Sequence, residues 1–147
     1  SIILIGASIF VYIDQNSYKP PAFSESAIEG TPEVDEKYGY SWLNIPPIAY
    51  KAYVCGTPAA TKNSVDLYLT NDQENNVYLL AQVFDSEGNK IGQSGLIKPG
   101  FYLKTVDLTT PLKDGENELT VHVCGLEKET YYSAGTLKLK INVNVAE

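Results

Sequence analysis

The sequence predicts an all-β protein whose main body is a single β-sandwich. Three observations carry this expectation. From Trp42 onward, apolar and polar residues alternate with the period of two that marks half-buried strands. Clusters of Gly, Pro, Asn and Asp interrupt the alternation every 8–15 residues or so. No stretch carries the 3.6-residue periodicity of a long amphipathic helix. About seven short strands at this spacing describe an immunoglobulin-like sandwich. At 147 residues, 44% hydrophobic and 20% charged, the chain suffices for one such domain plus an N-terminal apolar extension and a linker, and is too apolar to be disordered.

Residues 1–13 are apolar up to Asp14 and fall short of the roughly 20 residues that span a bilayer. In an extended chain Ile3, Ile5, Ala7, Ile9, Val11 and Ile13 share one face. The segment reads as a strand donated to a neighbouring chain or as the end of a membrane anchor. A first strand of the domain's own core is a further reading, and a signal peptide lacks its charged start and cleavage site. With Ser1 first and no Met in the chain, the expectation is that something upstream has been removed.

Residues 14–41, with Pro20, Pro21 and Pro32 among Ser, Glu and Gly, read as a semi-extended linker that reaches about 90 Å when fully stretched. A short helix around 26–37 is only weakly signalled. The domain, 42–147, then has expected strands at 48–55, 64–70, 77–84, 90–94, 101–108, 118–124 and 135–145. The third is apolar on both faces and therefore central. Asp85-Ser86-Glu87-Gly88-Asn89 and Pro99-Gly100 are turns. The last strand is the clearest: Leu137, Leu139, Ile141, Val143 and Val145 alternate with Lys138, Lys140, Asn142 and Asn144.

Cys55 and Cys124 match no metal or redox spacing. In an exported protein they would form a disulfide, worth about 4 kcal/mol for a loop of that length; the alternative is two packed free thiols.

The stretch from Asn76-Val77-Tyr78-Leu79 through Asp85-Ser86-Glu87-Gly88-Asn89, Ser94-Gly95-Leu96-Ile97-Lys98-Pro99-Gly100, Pro111-Leu112-Lys113-Asp114-Gly115 and Ala134-Gly135 resembles small cell-surface proteins of low-GC Gram-positive bacteria. These are built as a membrane segment, a linker and one C-terminal sandwich. The resemblance covers about 70 residues, and its most specific string is the one from Ser94 to Gly100. It implies an extracellular, surface-exposed location and no catalytic residues. The cysteines are not part of that pattern.

Chemistry is sparsely encoded. Eleven Lys, no Arg and a net charge of −7 make nucleic acid and anionic lipid poor partners. His122 and Cys124 share a strand face, but no second His exists, and a solvent-facing histidine is the simpler account. Asp85-Ser86-Glu87-Gly88-Asn89 starts like a calcium loop but lacks the later acidic ligand. No catalytic residue, metal ligand or cofactor site is nominated, and an enzyme ranks last. Eleven tyrosines stand out, and Tyr68, Tyr78, Tyr102, Tyr131 and Tyr132 are a possible binding surface, the plainer account being their β propensity. The expected function is that of a non-enzymatic extracellular structural protein, a filament or assembly subunit joined to its own kind by strand addition through residues 3–13. The alternative is a membrane-tethered sandwich that binds a protein or carbohydrate.

Overall fold

The computed structural model describes residues 21–146. Its strands are β1 (Ile28–Glu29), β2 (Tyr40–Ile45), β3 (Tyr50–Cys55), β4 (Ala60–Thr61), β5 (Ser64–Val65), β6 (Leu69–Asn71), β7 (Val77–Phe84), β8 (Lys90–Gln93), β9 (Phe101–Leu103), β10 (Val106–Asp107), β11 (Gly115–Glu127) and β12 (Ser133–Val145), with one 3-10 turn at Glu36–Tyr38. They form a five-stranded sheet in the order β1-β9-β6-β3-β2, a four-stranded sheet in the order β12-β11-β7-β8, and a three-stranded sheet in the order β10-β5-β4. The all-β sandwich expected from the periodicity is what the chain adopts. After β8 the chain crosses to β9 in the opposite sheet and returns as β11 on the other side of β7, the crossing typical of immunoglobulin-like sandwiches.

Parity builds the core. Val77, Leu79, Ala81 and Val83 of β7, Leu119, Val121 and Val123 of β11, and Ile141, Val143 and Val145 of β12 face inward. Ala52 and Val54 of β3, Leu69 of β6 and Leu103 of β9 meet them from the opposite layer. On β12 the alternating polar set, Lys138, Lys140, Asn142 and Asn144, is exposed, as its pattern requires.

Two of the expected strands are each divided. The stretch 64–70 becomes β5 and β6, and 101–108 becomes β9 and β10. The cause lies at Tyr68, whose φ of 51° breaks the pleat. Its N–H donates to the Lys104 carbonyl at 3.0 Å, so both strands change sheets at one level. The segment read as a linker also differs from expectation. From Ala22 onward its described part is bonded to the domain: Leu96 N–H donates to Ala22 O, Ser24 N–H to Leu96 O, and Gly30 N–H to Gly100 O, each at 2.9 Å. β1 pairs with β9, and β2 begins at Tyr40, two residues ahead of the expected domain start. The side of β9 away from β6, which β1 covers, and the backbone of Leu96 give this Pro-rich chain partners that composition alone does not reveal.

The expected turns form. Phe101 N–H donates to Lys98 O at 3.1 Å across Pro99-Gly100, with Gly100 at φ 83°, the left-handed position that follows Pro in a type II turn. At the β7–β8 hairpin, Asp85 Oδ1 accepts from the N–H groups of Glu87 and Asn89 at 3.0 and 2.9 Å. Those backbone bonds, the one from Asn89 first, hold the Asp85 carboxyl below its ordinary range. Its oxygens are thus engaged in closing the turn.

One buried amide joins the layers. Asn71, fully buried at the end of β6, donates through Nδ2 to Val77 O at 2.8 Å and Ile97 O at 2.9 Å. Its Oδ1 accepts from Asn75 Nδ2 at 2.8 Å, and Asn75 in turn brackets the backbone N–H and C=O of Lys51 on β3. Replacing Asn71 by Leu would take the side-chain donor from Val77 O, and leave Ile97 O only the Leu79 N–H and Asn75 Nδ2 only the Lys51 carbonyl. It would also crowd the turn, and the cost is about 1–3 kcal/mol for each buried group left unsatisfied. Urea unfolding of Asn71→Leu is expected to show a loss of about 3 kcal/mol; a loss below about 1 kcal/mol would remove this amide from its structural role.

Candidate binding face

The outer side of the five-stranded sheet brings aromatic and polar groups together. Because Ala52 and Val54 point into the core, Lys51, Tyr53 and Cys55 of β3 point outward. The β2–β3 register sets Trp42 opposite Tyr53 and Tyr40 opposite Cys55. Tyr53 lies opposite Thr70 of β6, Thr70 opposite Tyr102 of β9, and Tyr102 opposite Ile28 of β1. Directly opposed residues share a face. Trp42, Tyr53, Thr70, Tyr102 and Ile28 therefore form one row across all five strands, about 19 Å long at the usual strand spacing. Its two ends are open: Trp42 is 53% and Ile28 54% exposed.

Internal contacts fix the row. Tyr40 lies over the sheet from β2, stacked on Tyr53 at 5.5 Å between centroids and 17° between planes. Its hydroxyl is 2.6 Å from Thr70 Oγ1, and the Thr70 hydroxyl reaches the Tyr68 carbonyl at 3.0 Å. Lys51 Nζ rests 4.9 Å from the Trp42 ring centroid and 5.7 Å from that of Tyr53. Such cation–π contacts at exposed sites are worth about 0.5–1 kcal/mol, weak enough for an incoming group to displace the ammonium. Where the row narrows to Thr70 it opens into a cavity of about 230 Å³ lined by Tyr40, Tyr53, Thr70, Asp72 and Gln73 together with Asn71, Gly30, Thr31 and Gly100. Hydroxyls, an amide and a carboxylate thus border aromatic ring faces.

The residues singled out from sequence distribute unevenly. Of the five tyrosines, Tyr102 belongs to this row. Tyr78 and Tyr131 stack at 6.0 Å on the other sheet, with Phe23 edge-on to Tyr78 at 4.9 Å. Tyr68 sits under Lys104, and Tyr132 is 70% exposed in the β11–β12 turn. The tyrosines are not one surface. Trp42 and Tyr53 of the row, and Tyr40 stacked beside it, are not among the residues the sequence nominates; their signal is the alternation of Tyr40 and Trp42, and of Lys51 and Tyr53, on either side of Pro46-Pro47. The assembly residues Ile3, Ile5, Ala7, Ile9, Val11 and Ile13 lie outside the described residues.

The expected disulfide does not form: Cys55 and Cys124 are free thiols. Cys124 follows Val123 of the core and so points outward from the four-stranded sheet, while Cys55 points outward from the five-stranded one. Packed sheets stand about 10 Å apart, and a disulfide needs Cα atoms within about 7 Å. Burial pushes the Cys55 thiol up to about 11, with Asp66 adding to it, and burial also raises that of Cys124. His122 is half-buried with its ring 4.4 Å from that of Phe84; burial first and Lys138 second lower its pKa. Among the described residues no group of three or more His, Cys, Asp or Glu side chains could hold a metal ion. No protein-family model and no curated protein matches the chain.

Tyr40 makes the face sensitive to alkali. Burial is the main cause that pushes its phenol from 10.0 up to about 12, offset by the Thr70 bond and reinforced by Tyr53, Cys55 and Tyr102. The unfolded chain ionises this phenol near pH 10 while the fold holds it neutral, so its stabilising contribution is whole below about pH 10 and is lost as pH rises through about 12. Denaturation series of the wild type and Tyr40→Phe between pH 8 and 12 are expected to show a shallower alkaline decline in the variant. Superimposable slopes would show that Tyr40 does not titrate in this way.

Proposed function

We propose that the protein is a non-enzymatic binding module and that the outer face of its five-stranded sheet is the contact surface. The observation that supports this most is the row from Trp42 to Ile28, which leaves a tryptophan and an isoleucine open to solvent at its ends. Between them Tyr53 and Tyr102 are partly exposed, so that aromatic and apolar surface recurs along one line, and a recurrence of this kind supports a contact surface where a single exposed side chain would not. The resemblance to Gram-positive surface proteins supports display outside the cell. The free thiols withdraw the disulfide as an argument for that compartment. For the test, the full chain is labelled and mixed with isolated cell envelopes of a low-GC Gram-positive bacterium. The wild type is expected to bind, and Trp42→Ala with Tyr53→Ala to lose about 90% of that binding while single Trp42→Ala keeps the wild-type melting temperature, as for a centre of binding energy. Equal binding by the variants, or none by the wild type, would sink the proposal.

A second reading, assembly by strand addition, is favoured by β12. This strand of 13 residues is an edge of its sheet, pairing only with β11 among the described residues. A strand of such length offers the backbone ladder that an extended segment such as 3–13 of another copy would use. Negative-stain images of the full chain are expected to show filaments, absent for a chain lacking residues 1–13 and for Ile9→Asp. Dispersed particles in all of these samples would exclude assembly.

A further inference from the structure

We infer that the ligand of this face is an uncharged polysaccharide chain lying across the strands along the row from Trp42 to Ile28. The inference rests on the binding-module reading and names the chemistry of its ligand. A pyranose ring is amphipathic in a particular way: its flat faces are lined with C–H groups and its rim with hydroxyls. The row presents the complementary surface. Trp42, half open to solvent, and the partly exposed Tyr53 and Tyr102 supply aromatic surface to C–H groups, and the cavity at Thr70 brings Tyr40, Thr70, Asp72 and Gln73 together beside Tyr53. A few polar groups convergent on an aromatic-walled cavity are the usual make-up of a small-molecule or sugar subsite.

Shape and charge narrow the class further. The aromatic residues follow one line rather than forming a round patch, and Tyr53 and Tyr102 stand two strands apart, about 10 Å, the scale of a disaccharide unit. A linear polymer can occupy such a line throughout, whereas a protein partner would more naturally bury a compact apolar centre with a polar rim. The charges argue against ionic ligands. The one ammonium on the row, Lys51, is matched by the Asp72 carboxylate at the cavity, and a chain of net charge −7 repels polyanions. With the Thr70 hydroxyl donating to the Tyr68 carbonyl, Tyr40 donates its proton to Thr70 Oγ1, and the Tyr40 oxygen faces an incoming hydroxyl as an acceptor. An uncharged polyol is what remains.

Trp42 is the sole tryptophan in the chain, so its emission reports directly on the row. The full-length protein is titrated with β-1,4-linked glucose and N-acetylglucosamine oligomers and with mannan and xylan, and retention on cellulose and chitin is measured in parallel. Saturable change in Trp42 emission is expected with at least one of these glycans. Affinity should rise about tenfold or more from disaccharide to hexasaccharide, because a longer chain covers more of the row. Trp42→Ala and Ile28→Asp, at opposite and exposed ends, should each weaken retention about tenfold. Binding should also survive protease treatment of the cell envelopes. If none of the glycans binds, the carbohydrate inference is overturned; where protease then abolishes a Trp42-dependent envelope binding, the binding face stands with a protein ligand. If glycan retention is undiminished in both variants, the inference and the assignment of this face fall together.

Discussion

The amide of Asn71 is the constraint on which the rest of the architecture leans. A sandwich has two layers that share no backbone hydrogen bonds, so the places where the chain passes between them decide how the layers sit. Asn71 stands at such a place. Its Nδ2 holds the start of β7 and the Ile97 carbonyl on the way to β9, and its own backbone carbonyl accepts from Gly100 at 2.8 Å. Through Asn75 it also fixes Lys51 on β3. A buried polar group is costly when unpaired and specific when fully paired, and this one is fully paired. Apolar packing alone would tolerate small slips between the layers; an amide with three defined partners does not.

The same strand couples that interior bond to the exterior face. β6 is only three residues long, and pleating sends Leu69 and Asn71 inward and Thr70 outward. Thr70 is the smallest side chain in the row, and its size leaves room for the cavity beside Tyr40 and Tyr53. A larger residue there would fill the dip and displace Tyr40, whose hydroxyl bond to Thr70 keeps its ring flat on Tyr53. The surface on one side of the sheet is thereby placed by the polar bond on the other.

How far this was legible in the sequence depends on how local each signal is. The strand at 77–84 and the hairpin turn at 85–89 coincide with β7 and its turn, because alternation and turn chemistry are properties of neighbouring residues. The alternation of β12 from Leu137 to Val145 is equally local. β2 escaped notice because it scarcely touches the core: of its residues only Ile45 is buried, so no hydrophobic face announces it. The sheet-bound part of the Pro-rich segment was hidden for a similar reason, since its bonds are to the backbone of β9 and Leu96 rather than through apolar side chains. The cysteines illustrate a different limit. Their flanking sequences gave each an inward or outward face, but only the assignment of β3 and β11 to separate sheets shows that the two outward directions diverge.

The row itself is the least local feature of all. Ile28, Trp42, Tyr53, Thr70 and Tyr102 come from five strands, and their alignment depends on four separate registers. A slip of one residue in any of these would turn a row member to the core. The registers are in turn held by features that look unrelated to binding: the Pro46-Pro47 turn packed against Gly135, the Pro99-Gly100 turn, and the Asn71 amide. Gly135, at φ 136°, has its would-be Cβ position occupied by the Pro46 carbonyl, so the β2–β3 hairpin is seated on β12 at a point where no side chain fits. Rigidity bought in this way matters for a flat, shallow surface. Such a face closes over nothing and gains little from induced fit, so its affinity rests on side chains already held in place before a ligand arrives. Tyr40, stacked on one neighbour and bonded to another, is held so without any ligand.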